Sequence, residues 1–426
     1  MMKKPDYEIQ KRTLENGTDV ILIRKPDYVQ SFFLCGFGTG GFYINEKIGD
    51  RILHNRTGCA HFLEHQMFRY KGQDVTELFA RMQSQTNAFT SYTETAYYFS
   101  TTASIDQPLK LLMNFVQDLD IDERTVEKEK GIILSEYAMY DQNPEYRLLK
   151  ECYESMYFHH PLHTDILGTV EDIEHMTVRD LQTFYKNNYD PGEMVMVGIT
   201  GQELGPVFQV IEKHEKNFSS HIDHRAECIF EEEPDNVKRP FYSMNMDVTE
   251  PYIALAYKMH GYDEIGQCLR TDVAVSLWLD CVFGPVNPNY QTWLDEHIIS
   301  QLCGAESDFS RDHGYVLFYA QTSKQEQFKE IVQSIADHRQ DVEEEAFESL
   351  KIQMKARNLR SLDNFESLAI ENMRAHLEGY DYFEAIEIVE SLSWDEVQNI
   401  VSSLDFSHVC EVQILPQREK PIDPDQ

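Results

Sequence analysis

The pattern of apolar and polar positions along the chain predicts a mixture of helices and strands. Asn16-Gly17 is a common turn signal between two strand-like runs, which indicates a β-hairpin. Residues 86–101 are rich in Thr, Tyr and Phe, as strands are. Apolar residues recur at helical spacing over residues 107–118 and 324–338, which predicts two amphipathic helices. The other predicted elements are a buried strand at 32–42, helices at 59–70 and 123–140, and strands at 251–259 and 315–322.

A weak internal repeat suggests that the chain contains a duplication. Residues 171–181 resemble residues 387–397, and the offset between the two segments is 216 residues, about half the chain. Each copy carries an N-cap hydroxyl three residues before a carboxylate. Ser393 and Glu396 have the spacing of a capping box, and Thr177 and Asp180 form its Asp variant. The alternative is that two helices share a start signal by chance.

The chain length also favours two domains. A chain of 426 residues is too long for one ordinary hydrophobic core. Residues 230–239 are polar and contain a proline, so they form the best candidate linker. We therefore predict domains at 1–229 and 240–426. The expected fold class is α+β, with two homologous domains that each hold a mostly antiparallel sheet covered by helices.

The charge of the chain excludes one class of partner. The formal net charge is −35, whereas nucleic-acid binding needs a basic face. An acidic enzyme could attract basic peptides by electrostatic steering, although acidic residues also serve simply to solvate a surface.

The apolar segments and the cysteines indicate the cellular compartment of the protein. No apolar run approaches the length of a membrane span, and the N-terminus lacks the apolar region of a secretory signal. The eight cysteines form no CxxC pair, so neither a cysteine zinc site nor a disulfide framework is expected. We expect a cytoplasmic protein.

The candidate chemistry begins with His61-Phe62-Leu63-Glu64-His65. Residues of a helix advance about 100° each, so His61 and His65 lie within about 40° of one another and both can reach one metal ion. Glu64 lies at the edge of that face, close enough to contact a water on the metal. HxxEH is the inverted form of a zinc peptidase motif, but roughly 6% of chains of this composition would contain it by chance.

A third protein ligand is needed for a catalytic zinc site. Glu129 and Glu136 are seven residues apart in the helix predicted over 123–140, so both fall on one face. One carboxylate can bind the metal and the other can hold the second nitrogen of a histidine. Without the HxxEH motif upstream, the segment would be interpreted as an ordinary charged helix.

These residues resemble those of the insulinase, pitrilysin and mitochondrial processing peptidase superfamily. Residues 58–68 are similar to its Gly-x-Ala-His-x-x-Glu-His-x-x-Phe helix, and the Glu129/Glu136 pair follows as it does there. Residues 87–97 resemble its active-site strand, and residues 168–173 and 188–191 match later landmarks. The similarity covers most of residues 10–200, and it is closest in type to the short bacterial enzymes in which two subunits work as a pair.

The resemblance implies a role for each matching residue. His61, His65 and Glu136 would bind one Zn²⁺ per chain, Glu64 would be the general base, and Glu129 would be a supporting catalytic carboxylate. An extended substrate would pair with the strand by β-addition. The substrate-binding residues implied in this way are Asn87, Ala88, Phe89 and Thr90.

The second half of the chain departs from the family pattern. Members of the family usually carry an Arg followed by a Tyr seven residues later, and no Arg from Arg225 onward has this Tyr. Asp295 and Leu302 stand in the segment where the pair is expected, so a paralogous partner subunit would have to supply it. The 216-residue offset places Leu277, Asp280 and Cys281 opposite the HxxEH residues. The second domain is therefore expected to keep the helix but to bind no metal.

A histidine cluster at His159, His160 and His163 precedes Asp165 on a loop-like stretch that contains proline. We interpret it as a loop and not as a second metal site.

The sequence thus predicts a zinc-dependent endopeptidase that acts on peptides or unfolded segments, with a heterodimer favoured over a homodimer. One alternative is a non-catalytic peptide-binding or assembly subunit. The other is a processing peptidase that removes one leader from one precursor.

Overall fold

The computed structural model describes residues 7–222, 224–340 and 342–417, which form alternating helices and strands. Its strands are β1 (Glu8–Thr13), β2 (Asp19–Arg24), β3 (Ser31–Phe37), β4 (Asn45–Ile48), β5 (Arg51–His54), β6 (Arg69–Tyr70), β7 (Gln73–Asp74), β8 (Ser84–Thr90), β9 (Thr95–Thr101), β10 (Met194–Thr200), β11 (Glu227–Cys228), β12 (Phe241–Met246), β13 (Tyr252–Met259), β14 (Cys303–Phe309), β15 (Gly314–Gln321) and β16 (Val409–Pro416). Its α-helices are α1 (Cys59–Met67), α2 (Val75–Arg81), α3 (Asp106–Phe115), α4 (Glu123–Asp141), α5 (Pro144–Met156), α6 (Val170–His175), α7 (Val178–Asn188), α8 (Leu204–Glu215), α9 (Ile265–Phe283), α10 (Tyr290–Asp295), α11 (Gln325–Asp337), α12 (Glu344–Ser361), α13 (Phe365–Glu378), α14 (Tyr382–Ser391) and α15 (Trp394–Ser403). None of the helices in these described ranges is long and apolar enough to span a bilayer.

The first of two compact units holds a six-stranded sheet. It comprises the described residues up to Tyr137, together with Thr164–Phe230 and Asn358–Glu384. The strand order is β1-β2-β10-β3-β9-β8, and every neighbouring pair is antiparallel except β2 with β10. Helices α3 and α13 both pack on β3, which is buried along its whole length. Successive strand residues point to opposite faces, so Phe33, Cys35 and Phe37 face the main core while Gly36 approaches Met373 of α13.

The second unit holds a five-stranded sheet. It comprises Ala138–His163, Glu231–Arg357 and the described residues from Ala385 onward. The strand order is β12-β16-β13-β15-β14, and only β12 and β16 run parallel. Helix α5 packs on β12, β13 and β16, and α9 packs on β14. The core of this unit is built around the fully buried Trp278 of α9.

The two sheets share one topology. The series β2-β10-β3-β9-β8 and the series β12-β16-β13-β15-β14 have the same strand order, the same directions and one parallel pair in the same place. Helix α9 follows β13 along the chain as α1 follows β3, with the β4/β5 hairpin intervening, and β14 and β15 then correspond to β8 and β9. This correspondence confirms the predicted fold class of two homologous α+β halves with mostly antiparallel sheets.

The compact units are not contiguous segments of the chain. Residues 138–163 precede the predicted linker at 230–239 but belong to the second unit, and residues 358–384 belong to the first. Duplicated segments and compact units need not coincide, because a segment can pack away from the half in which it is encoded. The division into domains at 1–229 and 240–426 therefore stays a prediction.

Three local details differ from the sequence expectations. The predicted hairpin is present, but Leu14–Thr18 form a five-residue loop in which Gly17 has φ +94°. The helix predicted to reach Tyr70 ends at Met67, because the chain then turns back at Lys71-Gly72 and pairs β6 with β7. The strand predicted over 32–42 spans only Ser31–Phe37. The remaining predicted elements are present within a few residues of their expected bounds.

The two predicted N-caps are both occupied by the expected hydroxyls. Thr177 and Asp180 form a reciprocal capping box at the start of α7. Ser393 caps α15 through the Glu396 N–H, but the Glu396 carboxylate accepts hydrogen bonds from Arg270 at 2.7 and 2.9 Å. The predicted box at Ser393 is therefore only half formed.

Candidate active site

Two glycines in close contact determine how the motif helix α1 begins. Gly58 precedes α1 with φ +74°, and a Cβ at this position would lie 2.1 Å from the carbonyl oxygen of Leu167. Gly168 has φ +88°, and a Cβ there would lie 2.5 Å from the carbonyl oxygen of Thr57. Only glycine permits this backbone conformation and approach at low cost. The start of α1 is thus fixed against the segment that contains the predicted landmark at 168–173.

The buried face of α1 anchors the motif. Phe62 and Leu63 are buried in the core of the first unit, so the helix cannot rotate about its axis. This orientation brings the imidazoles of His61 and His65 together, with ring centroids 4.7 Å apart.

Glu136 of α4 completes a three-residue group. Its Oε2 lies 3.4 Å from His65 Nε2 and 3.8 Å from His61 Nε2. One ligand atom from each residue lies within 4.8 Å of the others. Two atoms bound to one tetrahedral zinc at about 2.1 Å would lie about 3.4 Å apart. The three side chains therefore have the chemistry and the spacing that a zinc ion requires.

Hydrogen bonding also leaves the required lone pairs available. His65 Nδ1 lies 3.0 Å from Glu129 Oε1, so Nδ1–H donates to this carboxylate, and a neutral His65 would present its Nε2 lone pair on the side of Glu136. His61 Nδ1 is buried and has no hydrogen-bond partner among the residues that the structure describes. His61 can therefore carry its proton on Nδ1 and present Nε2 to a metal ion. Glu129 thus occupies the place of a carboxylate that orients a ligand.

The two histidines have opposite electrostatic environments. Burial, together with the neighbouring His65, lowers the pKa of His61 to about 4. Burial would also lower the pKa of His65, but hydrogen bonds to Glu129 and Glu136 raise it to about 10. The hydrogen bond from His65 in turn lowers the pKa of Glu136. One imidazolium thus lies between two carboxylates, and a divalent cation could replace its charge.

Glu64 is held by a residue of strand β8. Burial raises the pKa of Glu64, and the hydroxyl of Thr90 donates a hydrogen bond to Glu64 Oε2 at 2.9 Å. The sequence placed Thr90 only among the substrate-binding residues, and this contact with Glu64 was not predicted. The alternation of β8 shows which residues share a face with Thr90, but nothing in the sequence shows that Glu64 lies there.

Strand β8 forms an edge of its sheet and carries the predicted substrate-binding residues. In the described part of the chain, β8 pairs only with β9, so the backbone groups on its other side are available to an added strand. Asn87 is exposed, and Ala88 and Phe89 are partly buried. The Phe89 ring lies 5.9 Å from the Arg374 guanidinium.

A second cluster of potential ligands lies in the second unit. Atoms of His160, Asp312 and His313 lie within 4.8 Å of one another. His160 Nδ1 accepts a hydrogen bond from the Leu162 N–H at 3.2 Å, so a neutral His160 carries its proton on Nε2, which lies 3.5 Å from Asp312 Oδ1. An N–H group has no lone pair for a metal, and this cluster therefore has the geometry of a hydrogen-bonded network. His163 lies close to this network, with Nδ1 2.6 Å from the His160 carbonyl oxygen, and His159 lies 3.7 Å from Glu231.

The residues predicted to correspond to the motif in the second half lie on α9. Leu277 and Cys281 are buried there, and burial raises the pKa of Asp280. Asp295 ends α10 and accepts a hydrogen bond from Gln291, while Leu302 is exposed just before β14.

Comparisons with known proteins agree with the geometry of the first unit. Residues 53–170 match the family model described as insulinase (peptidase family M16), and residues 175–354 match the model of the peptidase M16 inactive domain. YmfH of Bacillus subtilis, described as an uncharacterized zinc protease, is 28% identical over 97% of this chain and 99% of its own length.

Two further matches extend the comparison. The β subunit of the mitochondrial processing peptidase of Neurospora crassa is 33% identical over 49% of this chain and 43% of its own. A crystal structure described as that of an M16-like peptidase from Alicyclobacillus acidocaldarius has a TM-score of 0.92 and 28% identity, and the match covers 98% of this chain and 100% of the other. These matches confirm the resemblance inferred from the HxxEH motif, and the chain belongs to the insulinase family of peptidases, family M16.

Proposed function

We propose that this chain is a zinc-dependent endopeptidase with one Zn²⁺ held by His61, His65 and Glu136. The observation that carries the proposal is the convergence of these three side chains, with separations of 3.4 and 3.8 Å from the Glu136 oxygen to the two imidazoles. The zinc-protease names of similar proteins support the choice of metal. In this assignment Glu129 orients His65 and Glu64 is the general base.

The proposed reaction is hydrolysis of a peptide bond. Zinc in such a site supplies a Lewis acid that polarises the substrate carbonyl and makes water more acidic. Glu64 accepts a proton from the attacking water while the water oxygen bonds to the carbonyl carbon. Glu64 then gives this proton to the leaving amine nitrogen as the C–N bond breaks. Its burial favours this cycle, because a raised pKa lets one carboxylate serve first as base and then as acid.

The proposed substrate is an extended peptide or an unfolded segment that adds to the edge of β8 over Asn87–Thr90. Main-chain hydrogen bonds of this kind tolerate many side chains, which suits general peptide degradation. The net charge of −35 favours basic peptides through steering, and the rate of cleavage should then fall as salt is added.

A paralogous partner subunit is part of the proposal, with a heterodimer favoured over a homodimer. Asp295 and Leu302 lie where the sequence places the segment for a substrate-contacting Arg/Tyr pair, so this chain offers neither side chain there. One relative is itself described as a subunit of a peptidase. The proposed compartment is the cytoplasm, and the eight unpaired cysteines are compatible with reducing conditions.

Precursor processing is the second candidate function, because the relative from Neurospora crassa is described as a processing peptidase subunit. Mass spectrometry of the products separates the two functions, since a ladder of fragments indicates degradation and one cut in one substrate indicates processing. A non-catalytic assembly subunit is the outcome if no cleavage occurs at all.

The decisive experiment measures zinc content and peptide cleavage of the chain, alone and with a co-purified partner. Glu64→Gln is the matched control, because it removes the proposed base and leaves the three proposed ligands in place. We expect about one zinc in both proteins and cleavage only with Glu64. Full zinc loading without cleavage under any pairing would favour the assembly subunit, and cleavage by Glu64→Gln at the wild-type rate would refute the assignment of the base.

A further inference from the structure

The hydroxyl of Thr90 makes a direct contact with the proposed general base. Thr90 Oγ1 donates to Glu64 Oε2 at 2.9 Å. We infer that Thr90 is a positioning residue that holds the Glu64 carboxylate in one rotamer and directs its other oxygen toward the reacting water. This inference rests on the proposed function and gives Thr90 a role beyond β-addition of substrate.

Thr90 is suited to this role because its backbone is held rigidly. It ends β8 directly opposite Thr95, which is fully buried and donates a side-chain hydrogen bond to the Thr39 carbonyl oxygen at 2.9 Å. The hairpin continues with a hydrogen bond from the Ser91 N–H to the Glu94 carbonyl oxygen at 2.8 Å. The Thr90 hydroxyl therefore has little freedom to move with the carboxylate.

The tip of the same hairpin is fastened to helix α13. Arg374 Nε donates to Glu94 Oε1 at 2.8 Å, and the Glu94 side chain is only 4% exposed. A buried carboxylate of this kind is stable only with its partner, so the pair fixes the turn that follows Thr90. The donor to Glu64 is thus supported by both the sheet and a packed helix.

Glu64 needs an external restraint because its own side chain has three rotatable bonds. A carboxylate with this freedom can turn away from a substrate unless a neighbouring group holds it. Holding one oxygen with a fixed hydroxyl leaves the other in a constant position, which proton transfer requires.

The chain offers a matched control for the hydroxyl. Thr86 lies on the same face of β8, four residues before Thr90, and its hydroxyl donates to the Tyr98 carbonyl oxygen at 2.8 Å. Thr→Val has the same steric effect at both positions and removes one hydroxyl in each case. Only Thr90→Val removes the contact with Glu64.

The test compares Thr90→Val, Thr90→Ser and Thr86→Val in the full chain, with its partner if activity requires one. We expect Thr90→Val to lower kcat about 10- to 100-fold, as loss of a hydrogen bond to a charged group would, with KM within about threefold of wild type. Thr90→Ser should restore kcat to within about threefold, and Thr86→Val should match wild type. Zinc content should be equal in all four proteins.

Two outcomes would overturn the inference. One is a Thr90→Val variant whose KM rises while kcat is unchanged, because the residue would then act only through substrate binding. The other is an equal loss of kcat in Thr86→Val, because the effect of Thr90→Val could then not be assigned to the contact with Glu64.

Crystal structures of zinc-loaded wild type and Thr90→Val give a readout that does not depend on turnover. We expect one Glu64 rotamer in wild type and at least two in the variant. A single unchanged rotamer in Thr90→Val would refute the positioning role. If wild type cleaves nothing but the rotamers differ as expected, the proposed function fails and the structural restraint by Thr90 stands.

Discussion

Glu46 provides a sharp test of the packing in the first unit. Its side chain has no exposed surface, Oε1 accepts a hydrogen bond from Asn188 at 2.8 Å, and Oε2 has no hydrogen-bond partner within the described ranges. Burial raises the pKa of Glu46 to about 7, although hydrogen bonds from Asn188 and Asn55 act in the opposite direction. We predict that Glu46→Gln makes the stability of the protein less sensitive to pH between about 4.5 and 7.

The sign follows from proton linkage. The folded protein holds the Glu46 proton more tightly than the unfolded chain, whose glutamate pKa is near 4.5. Ionisation of the buried Glu46 carboxyl destabilises the folded protein. This destabilisation is absent below about pH 4.5, develops as the pH rises, and is complete above about pH 7. The pKa of Glu46 is about 7 in the folded protein and near 4.5 in the unfolded chain, and this difference corresponds to about 3 kcal/mol. Glutamine cannot ionise, so the free energy of unfolding of Glu46→Gln lacks this pH-dependent contribution.

The assay is a series of thermal unfolding curves for both proteins between pH 5 and 8. A change of about 3 kcal/mol corresponds to about 6–12 °C in a unit of this size, so the difference in Tm between Glu46→Gln and wild type should grow by roughly that amount with rising pH. Glu227→Gln is the control, because Glu227 is exposed on the neighbouring strand β11, opposite Lys47. A Glu46→Gln difference that stays constant across this range would refute the reasoning.

Three further predictions concern the site and the two units. Glu129→Gln should weaken zinc binding about 10- to 100-fold through poorer orientation of His65, as measured by competition with a chelator, and unchanged affinity would contradict the orienting role. Gly36→Ala should lower Tm by several degrees, because its Cβ would lie 1.9 Å from Met373 Sδ, and an unchanged Tm would show that the helix has room to move. Burial alone would raise the pKa of Glu233, but hydrogen bonds from a buried lysine and three backbone N–H groups lower it to about 2. Its stabilisation is present above pH 4.5 and lost toward pH 2, so Glu233→Gln should be less stable than wild type in urea at pH 6 and should lose less stability by pH 3.

Local patterns in the sequence predict fewer than half of the strands and helices, and they do not show how distant segments combine. Helical spacing predicts α3, α4 and α11 within a few residues, because each buries one face whose period can be counted. Strand β10 is absent from the predicted elements, although Met194–Thr200 is buried throughout and forms a continuous apolar run. The packing of α13 on β3 could not be predicted, since Met373 and Gly36 are hundreds of residues apart and neither has an unusual local context.

The sequence likewise predicts some features of the candidate site and leaves others open. The spacing of His61 and His65 predicts two adjacent imidazoles, and the seven-residue interval between Glu129 and Glu136 predicts two carboxylates on one face. Which carboxylate faces which nitrogen depends on how α4 packs against α1. The spacing alone leaves both assignments open, whereas the family resemblance implies Glu136 as the ligand. The structure places the Glu129 oxygen 3.0 Å from His65 Nδ1 and the Glu136 oxygen 3.4 Å from His65 Nε2.

The second histidine cluster shows why residue type and proximity do not define a metal site. His160, Asp312 and His313 meet the same distance criterion as His61, His65 and Glu136. The difference lies in the second nitrogen of one imidazole: His65 Nδ1 faces a carboxylate acceptor, whereas His160 Nδ1 faces a backbone N–H donor. An acceptor at Nδ1 leaves the Nε2 lone pair for a metal, and a donor at Nδ1 forces the proton onto Nε2. We therefore predict that this protein loads one zinc and not two, at the cluster in which the partner of Nδ1 is an acceptor.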